Sequence, residues 1–203
     1  GSYAPGSTFK VVTALEYMRE HADYANYTYD CYGEITQNDT TIRCFNSIVH
    51  GFQDLRGSVA NSCNSSFANI GLSLNKTSYR KTAEELLFNK KLPSTLDYTK
   101  PSFSVDETTG EAEMMMTAMG QGNTLTNPYH MALITSAIAN GGTLMKPYFV
   151  EKVTNYTGTE ISKNVPKSYK RPVRQNTAWL TEKRRIHGSW DLQMWIIRNW
   201  SSV

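Results

Sequence analysis

No run in the 203 residues approaches the roughly eighteen uninterrupted apolar positions that a membrane span requires. Cysteine is scarce. Cys31, Cys44 and Cys63 are too few for a disulfide framework, and their spacing fits no familiar zinc ligand set. Cys31 and Cys44 can pair if the chain is exported, which leaves Cys63 alone. Net charge is also small, at +3, too little to argue for a nucleic-acid partner. Even that surplus is uneven: residues 1–170 carry 15 Lys and Arg against 16 Asp and Glu, whereas residues 171–203 carry 6 against 2. Tryptophan is missing from the first 178 positions, and Trp179, Trp190, Trp195 and Trp200 all follow. An initiator methionine is lacking too, and the Gly1-Ser2 start suits a processed or excised product. What remains, 39% hydrophobic and 19% charged residues, is the composition of a folded globular domain and excludes disorder over most of the chain.

Turn and periodicity signals divide the chain. Pro5-Gly6 precedes a mostly apolar segment from Ser7 to Met18, which predicts a buried helix starting near Ser7. Residues 24–45 predict a hairpin or irregular β excursion. Ser58–Leu74 has apolar residues at helical spacing, and Lys76–Phe88 predicts an amphipathic helix capped by Thr77 or Ser78. Glu111–Met119 reads as helical. Asn127-Pro128 opens another helix that Gly141-Gly142 stops, and a strand over Tyr148–Tyr156 returns from Glu160.

A serine followed three residues later by a lysine puts both side chains on one helical face, where the amine can take the hydroxyl proton. The pattern occurs three times, at Ser7/Lys10, Ser73/Lys76 and Ser78/Lys81. With 18 serines and 12 lysines, about one is expected by chance, so the motif alone decides nothing. Context singles out Ser7 and Lys10. The first helical turn leaves N–H groups free for a developing oxyanion, and the positive helix end lowers the pKa of a nearby ammonium. Ser78 and Ser73 read instead as a helix cap and a helix-end residue. A second segment, Asn61-Ser62-Cys63-Asn64-Ser65-Ser66-Phe67, is a run of small polar residues feeding an apolar helix. That run suits a cleft lined with hydroxyl and amide groups, or equally a polar helix start.

Tyr3-Ala4-Pro5-Gly6-Ser7-Thr8-Phe9-Lys10-Val11-Val12-Thr13-Ala14-Leu15-Glu16 resembles the first active-site motif of class B, monofunctional penicillin-binding protein transpeptidase domains. Later blocks agree in order: His50-Gly51 with Asp54-Leu55, then Ser62-Cys63-Asn64, then Met119-Gly120-Gln121-Gly122 with Thr126-Asn127-Pro128-Tyr129-His130, and last Ala139-Asn140-Gly141-Gly142 leading to Lys146-Pro147-Tyr148. The resemblance implies an α/β (α+β) fold with an antiparallel central sheet flanked by helices, here incomplete. Residues 1–170 correspond to a partial transpeptidase domain, and residues 171–203 form a tail outside the pattern. It also implies a D,D-transpeptidase that cross-links peptidoglycan stem peptides ending in D-Ala-D-Ala. Ser7 is then the nucleophile, Lys10 its general base, Ser62 the proton relay to the leaving amine, and Asn64 a hydrogen-bonding partner of Lys10 and the acyl group. β-Lactam antibiotics would acylate Ser7, and no cofactor or metal is expected. The expected setting is the extracytoplasmic face of the bacterial membrane, with an anchor upstream of Gly1 and a membrane glycan-polymerising glycosyltransferase as partner. The Cys31 and Cys44 pair is similar to a hairpin of some members.

The family's third motif, Lys-Thr-Gly, occurs nowhere in the sequence. It supplies a second oxyanion N–H, and losing one such donor costs about a hundred- to a thousandfold in rate. Two alternatives therefore stand beside the transpeptidase: a serine β-lactamase or D,D-carboxypeptidase with the same Ser-x-x-Lys chemistry, and a non-catalytic penicillin-binding fragment. The tail, with Lys183-Arg184-Arg185 and its tryptophans, reads as out-of-frame or chimeric sequence, as a lineage-specific ending, or as a membrane-surface segment.

Overall fold

Gly6 takes φ +60° and turns the chain into a 3-10 turn, Gly6–Phe9, that runs straight on as helix α1, Lys10–Glu20. The computed structural model describes residues 1–170 and 172. The tail considered above, apart from Pro172, lies outside the described residues. Helix α1 is almost wholly buried: Val11, Val12, Ala14, Leu15 and Met18 form its apolar side, and Lys10, Thr13 and Glu16 on the polar side are buried as well.

Strand β1 (Thr28–Cys31) pairs antiparallel with β4 (Gly51–Asp54), and the hairpin β2 (Glu34–Gln37) and β3 (Thr40–Arg43) lies between them in sequence. The β excursion expected over residues 24–45 is therefore present. Helix α2 (Leu55–Ala60) is capped by the Asp54 side chain, and α3 (Asn64–Ser73) follows after a break. The apolar spacing of Ser58–Leu74 had predicted one helix. Ser62 instead adopts φ 50°, a left-handed conformation that stops α2 and lets α3 start in a new direction.

Helix α4 (Lys76–Glu85) is capped by neither Thr77 nor Ser78: the Asn75 side chain accepts from the Ser78 N–H at 2.9 Å. Helix α5 (Glu111–Ala118) packs across α3, and the crossing is close because Gly71 has no side chain. A Cβ there would lie 2.6 Å from the Ala118 Cβ and 2.8 Å from the Met114 carbonyl oxygen. Helix α6 (Pro128–Ala139) has Asn127 as its cap and proline at its start, as expected. Beyond it β5 (Leu144–Met145) pairs with β8 (Ser168–Lys170), and β6 (Lys152–Thr154) with β7 (Glu160–Lys163), all antiparallel. The strand expected over Tyr148–Tyr156 is shorter, and Tyr148, Phe149 and Val150 are exposed ahead of it. No helix among the described residues is long and apolar enough to cross a membrane.

The largest core cluster joins α1, α3, α4 and the segment after α4 around Phe9, Tyr79, Phe88 and Phe103. Phe9 meets Phe88 edge-on with centroids 5.5 Å apart and stacks on Phe103 at 6.0 Å. Each such buried ring contributes about 1.5–3 kcal/mol. Phe9 lies between Ser7 and Lys10, so the aromatic cluster fixes the segment that carries them.

Candidate active site

Lys10 begins α1 and is fully buried, yet its Nζ has four oxygen neighbours. Ser7 Oγ is at 3.3 Å, the Ser62 carbonyl oxygen at 2.7 Å, Ser62 Oγ at 2.8 Å and Asn64 Oδ1 at 2.6 Å. The ring of Phe67 lies beneath, 5.7 Å from Nζ to its centroid. The structure thus brings Ser7, Lys10, Ser62 and Asn64 to one point, although more than fifty residues separate the two pairs.

Each position has a local cause. Ser7 lies in the 3-10 turn, where N–H groups have no intrahelical acceptor. Ser62 reaches Lys10 twice because its left-handed backbone aims both carbonyl and hydroxyl inward. The Asn64 amide is oriented by its other end: Nδ2 donates to the Arg43 carbonyl oxygen at 2.9 Å, which turns Oδ1 toward Lys10.

Burial lowers the Lys10 pKa from 10.5 to about 7, although Cys63 and Cys44 nearby raise it. An ammonium has three protons for four acceptors. The neutral amine has two N–H groups, which the acceptor-only Ser62 carbonyl and Asn64 Oδ1 can take, and a lone pair that can accept from a hydroxyl. Ser7 Oγ, at the longest of the four distances, is the hydroxyl whose proton such an amine can accept.

The group opens on a cleft of about 450 Å³ lined by Ser7, Ser62, Asn64, Asn61, Met119 and Gln121, and also by Phe45, Ile48 and His50. Sequence reasoning did not assign Phe45, Ile48 or Gln121 to a site. The exposure of Phe45 (77%) and Ile48 (49%) is a structural signal with no counterpart in periodicity. Gly120 stands in the Met119-Gly120-Gln121-Gly122 block for a steric reason. At φ +87° a Cβ would fall 1.7 Å from the Gly6 carbonyl oxygen, and the Gly120 carbonyl accepts from the Gly6 N–H at 2.8 Å. Gly120 therefore braces the turn that carries Ser7. The other Ser-x-x-Lys pairs lie away from this cleft: Ser73 Oγ donates to the Ile70 carbonyl oxygen within α3, and Ser78 is the residue whose N–H the Asn75 cap accepts.

Behind Ser62 and Asn64, the strand pairing and the helix break gather three buried thiols and an imidazole. Cys31, Cys44 and Cys63 are free, with Cys31 Sγ 3.7 Å from Cys44 Sγ, which in turn is 3.8 Å from Cys63 Sγ. His50 Nδ1 is 3.4 Å from Cys31 Sγ. Spacing alone hid this grouping because its members come from four separate parts of the fold.

Three comparisons with known proteins point to one family. The family described as penicillin binding protein transpeptidase domain matches residues 1–185. Stage V sporulation protein D of Bacillus subtilis is 31% identical over 87% of this chain and 28% of its own length. Penicillin-binding protein A from M. tuberculosis, solved as a ceftriaxone acyl-enzyme complex, superposes with a TM-score of 0.78 at 26% identity, over 89% of this chain and 41% of that one. The D,D-transpeptidase domain of a peptidoglycan glycosyltransferase from Eggerthella lenta gives 0.77 at 25% identity, over 88% and 46%. The chain thus spans less than half the length of these relatives. With the family match covering most of its residues, and with the same mixed helical and antiparallel fold in the solved structures, the chain belongs to the penicillin-binding protein transpeptidase domain family.

Proposed function

We propose that this chain carries the acyl-enzyme half-site of a serine D,D-transpeptidase acting on peptidoglycan stem peptides. The observation that carries the reading is the buried Lys10 amine with Ser7 Oγ, Ser62 Oγ and Asn64 Oδ1 all within 3.3 Å. Ser7 Oγ attacks the carbonyl carbon between the two terminal D-alanines while its proton passes to Lys10 Nζ. The N–H of Ser7, in the first turn, faces the developing oxyanion. As the C–N bond breaks, the departing amine takes a proton through the Ser62 hydroxyl, which Lys10 replenishes at 2.8 Å. Asn64 holds Lys10 in place and offers its amide to the acyl side chain. The acyl-enzyme is then resolved by the amine of a second stem peptide, which forms the new peptide bond and frees Ser7.

β-Lactams follow the first step, with the ring nitrogen as the leaving group. The absence of Lys-Thr-Gly from the sequence removes one expected oxyanion donor, so acylation by this chain is slow, by about a hundred- to a thousandfold for that donor. The whole protein works at the extracytoplasmic membrane face, held by an anchor outside this chain and beside a glycan-polymerising glycosyltransferase.

The test is incubation with a fluorescent penicillin, read by gel and by intact mass. One adduct per chain, lost in Ser7→Ala, is expected. A folded protein that never labels overturns the reading. Release of the adduct within seconds rather than hours would favour a hydrolytic enzyme over a transpeptidase.

A further inference from the structure

We propose that Cys31, Cys44, His50 and Cys63 form a tetrahedral site for one thiophilic divalent cation of the zinc class. The four donor atoms lie within 4.8 Å of one another. Zinc–sulfur bonds of about 2.3 Å at tetrahedral angles put two thiolates about 3.8 Å apart, and a zinc–nitrogen bond of about 2.0–2.1 Å puts sulfur and nitrogen about 3.5 Å apart. The separations here are 3.7 and 3.8 Å between thiols and 3.4 Å from thiol to imidazole. Three cysteines and one histidine are also a closed structural zinc donor set.

The surroundings fit a cluster of thiolates. Ser65 Oγ donates to Cys31 Sγ at 3.2 Å and is 3.4 Å from both other sulfurs, and the Gly33 N–H donates to Cys31 Sγ at 3.4 Å. Such outer donors orient and stabilise metal-bound sulfur. A disulfide explains the cluster less well: any pairing of three thiols strands the third and leaves His50 without a role. The thiols are inaccessible, whereas His50 is partly exposed and lines the cleft, which gives an ion its way in.

The four donors come from the end of β1, the residue after β3, the residue before β4 and the break between α2 and α3. One ion would therefore tie both β pairs to the Ser62–Asn64 segment, a cross-link among parts otherwise joined by short strands. This role is structural and stands whether or not Ser7 acylates.

Titrating the reduced, chelator-treated 203-residue chain with cobalt(II) tests the site. Expected are one equivalent bound, a thiolate-to-cobalt charge-transfer band with the intense visible bands of a tetrahedral centre, displacement by zinc, and a higher melting temperature with metal than without. Losing an outer partner of a ligand already costs about 10–100-fold in affinity, so Cys63→Ser and His50→Gln should each weaken binding at least tenfold. His50→Gln changes a partly exposed side chain, so its fold can be checked by its metal-free melt. No stoichiometric uptake by folded reduced protein, uptake without thiolate absorption, or unchanged affinity in both variants would each overturn the proposal.

Discussion

Lys10 Nζ donates to the carbonyl oxygen of Ser62 at 2.7 Å, and that carbonyl points at the amine because Ser62 holds φ at 50°. A left-handed residue other than glycine costs about 1–2 kcal/mol. The strain is located where the candidate site needs a backbone oxygen as well as a hydroxyl from one residue.

Ser62→Gly and Ser62→Ala separate those two contributions. Both lose the hydroxyl, so both should slow penicillin acylation to a similar extent. Glycine relieves the strain but costs about 0.5–1 kcal/mol of chain entropy, so the glycine variant should be the more stable by about 0.5–1 kcal/mol. Urea midpoints measure the difference. An alanine variant more stable than the glycine one by about 0.5–1 kcal/mol, the full entropy cost of glycine, would show that the left-handed backbone carries no strain.

The same residue marks the limit of what the sequence revealed. Ser7 and Lys10 were legible because an i, i+3 pair after a Pro-Gly turn is a local pattern. The Ser62–Asn64 segment was legible only as small polar residues, since Phe67, Ile70 and Leu74 continue the apolar spacing of Val59 across the break. Periodicity reports which face is apolar and is blind to a single φ reversal. The Asn75 cap was missed for a related reason, because three capping residue types stand together at Asn75, Thr77 and Ser78 and only geometry picks among them. Least legible was the thiol cluster, whose members meet only after two strand pairings form.

Gly120→Ala should be among the most damaging single-methyl changes in the chain. It places a Cβ 1.7 Å from the Gly6 carbonyl oxygen at φ +87°, so the turn under Ser7 must move. A loss of about 2–4 kcal/mol is expected, with slower acylation in whatever fraction folds. Gly110→Ala is the control: φ there is −74° and a Cβ meets nothing within 4 Å, so its melting temperature should stay close to that of the parent. Comparable melts for the two variants would contradict this account of Gly120.

Glu16 should give the chain a stability that declines toward neutral pH. Burial raises its carboxyl from 4.5 to about 7, with Glu20 adding to the rise and Thr82, which donates to it, and Arg19 opposing it. Between those values the folded chain holds more protons than the unfolded one, so stability is full below pH 4.5 and is lost as pH rises through 7. The loss is on the order of 1–2 kcal/mol after allowing for solvent screening. His130 works the other way: burial lowers it to about 4, so its contribution grows with pH up to its unfolded value of 6.5. Glu16→Gln keeps an acceptor for Thr82 and removes only the first effect. Denaturant titrations of both proteins from pH 4.5 to 7.5 should diverge in slope, and parallel curves would rule Glu16 out as the source.

Lys10 links the chemistry to stability through one proton. Burial brings its pKa from 10.5 to about 7, so the neutral amine that can accept the Ser7 proton is available near neutrality. Acylation by a penicillin should therefore rise about tenfold per pH unit below pH 6 and level off above about 7. A limb that keeps climbing toward pH 10 would mean that Lys10 titrates like an exposed lysine, or that another group is the base. Stability should respond in the opposite sense to Glu16. Between pH 7 and 10.5 the unfolded chain retains a Lys10 proton that the folded chain has lost, so stability increases with pH across that window. Lys10→Met removes the amine while keeping a long apolar stem, and it should abolish labelling and flatten the alkaline rise together. A variant that stops labelling yet keeps the alkaline rise would assign that rise to another residue, and with it the physical basis for a neutral Lys10 at pH 7.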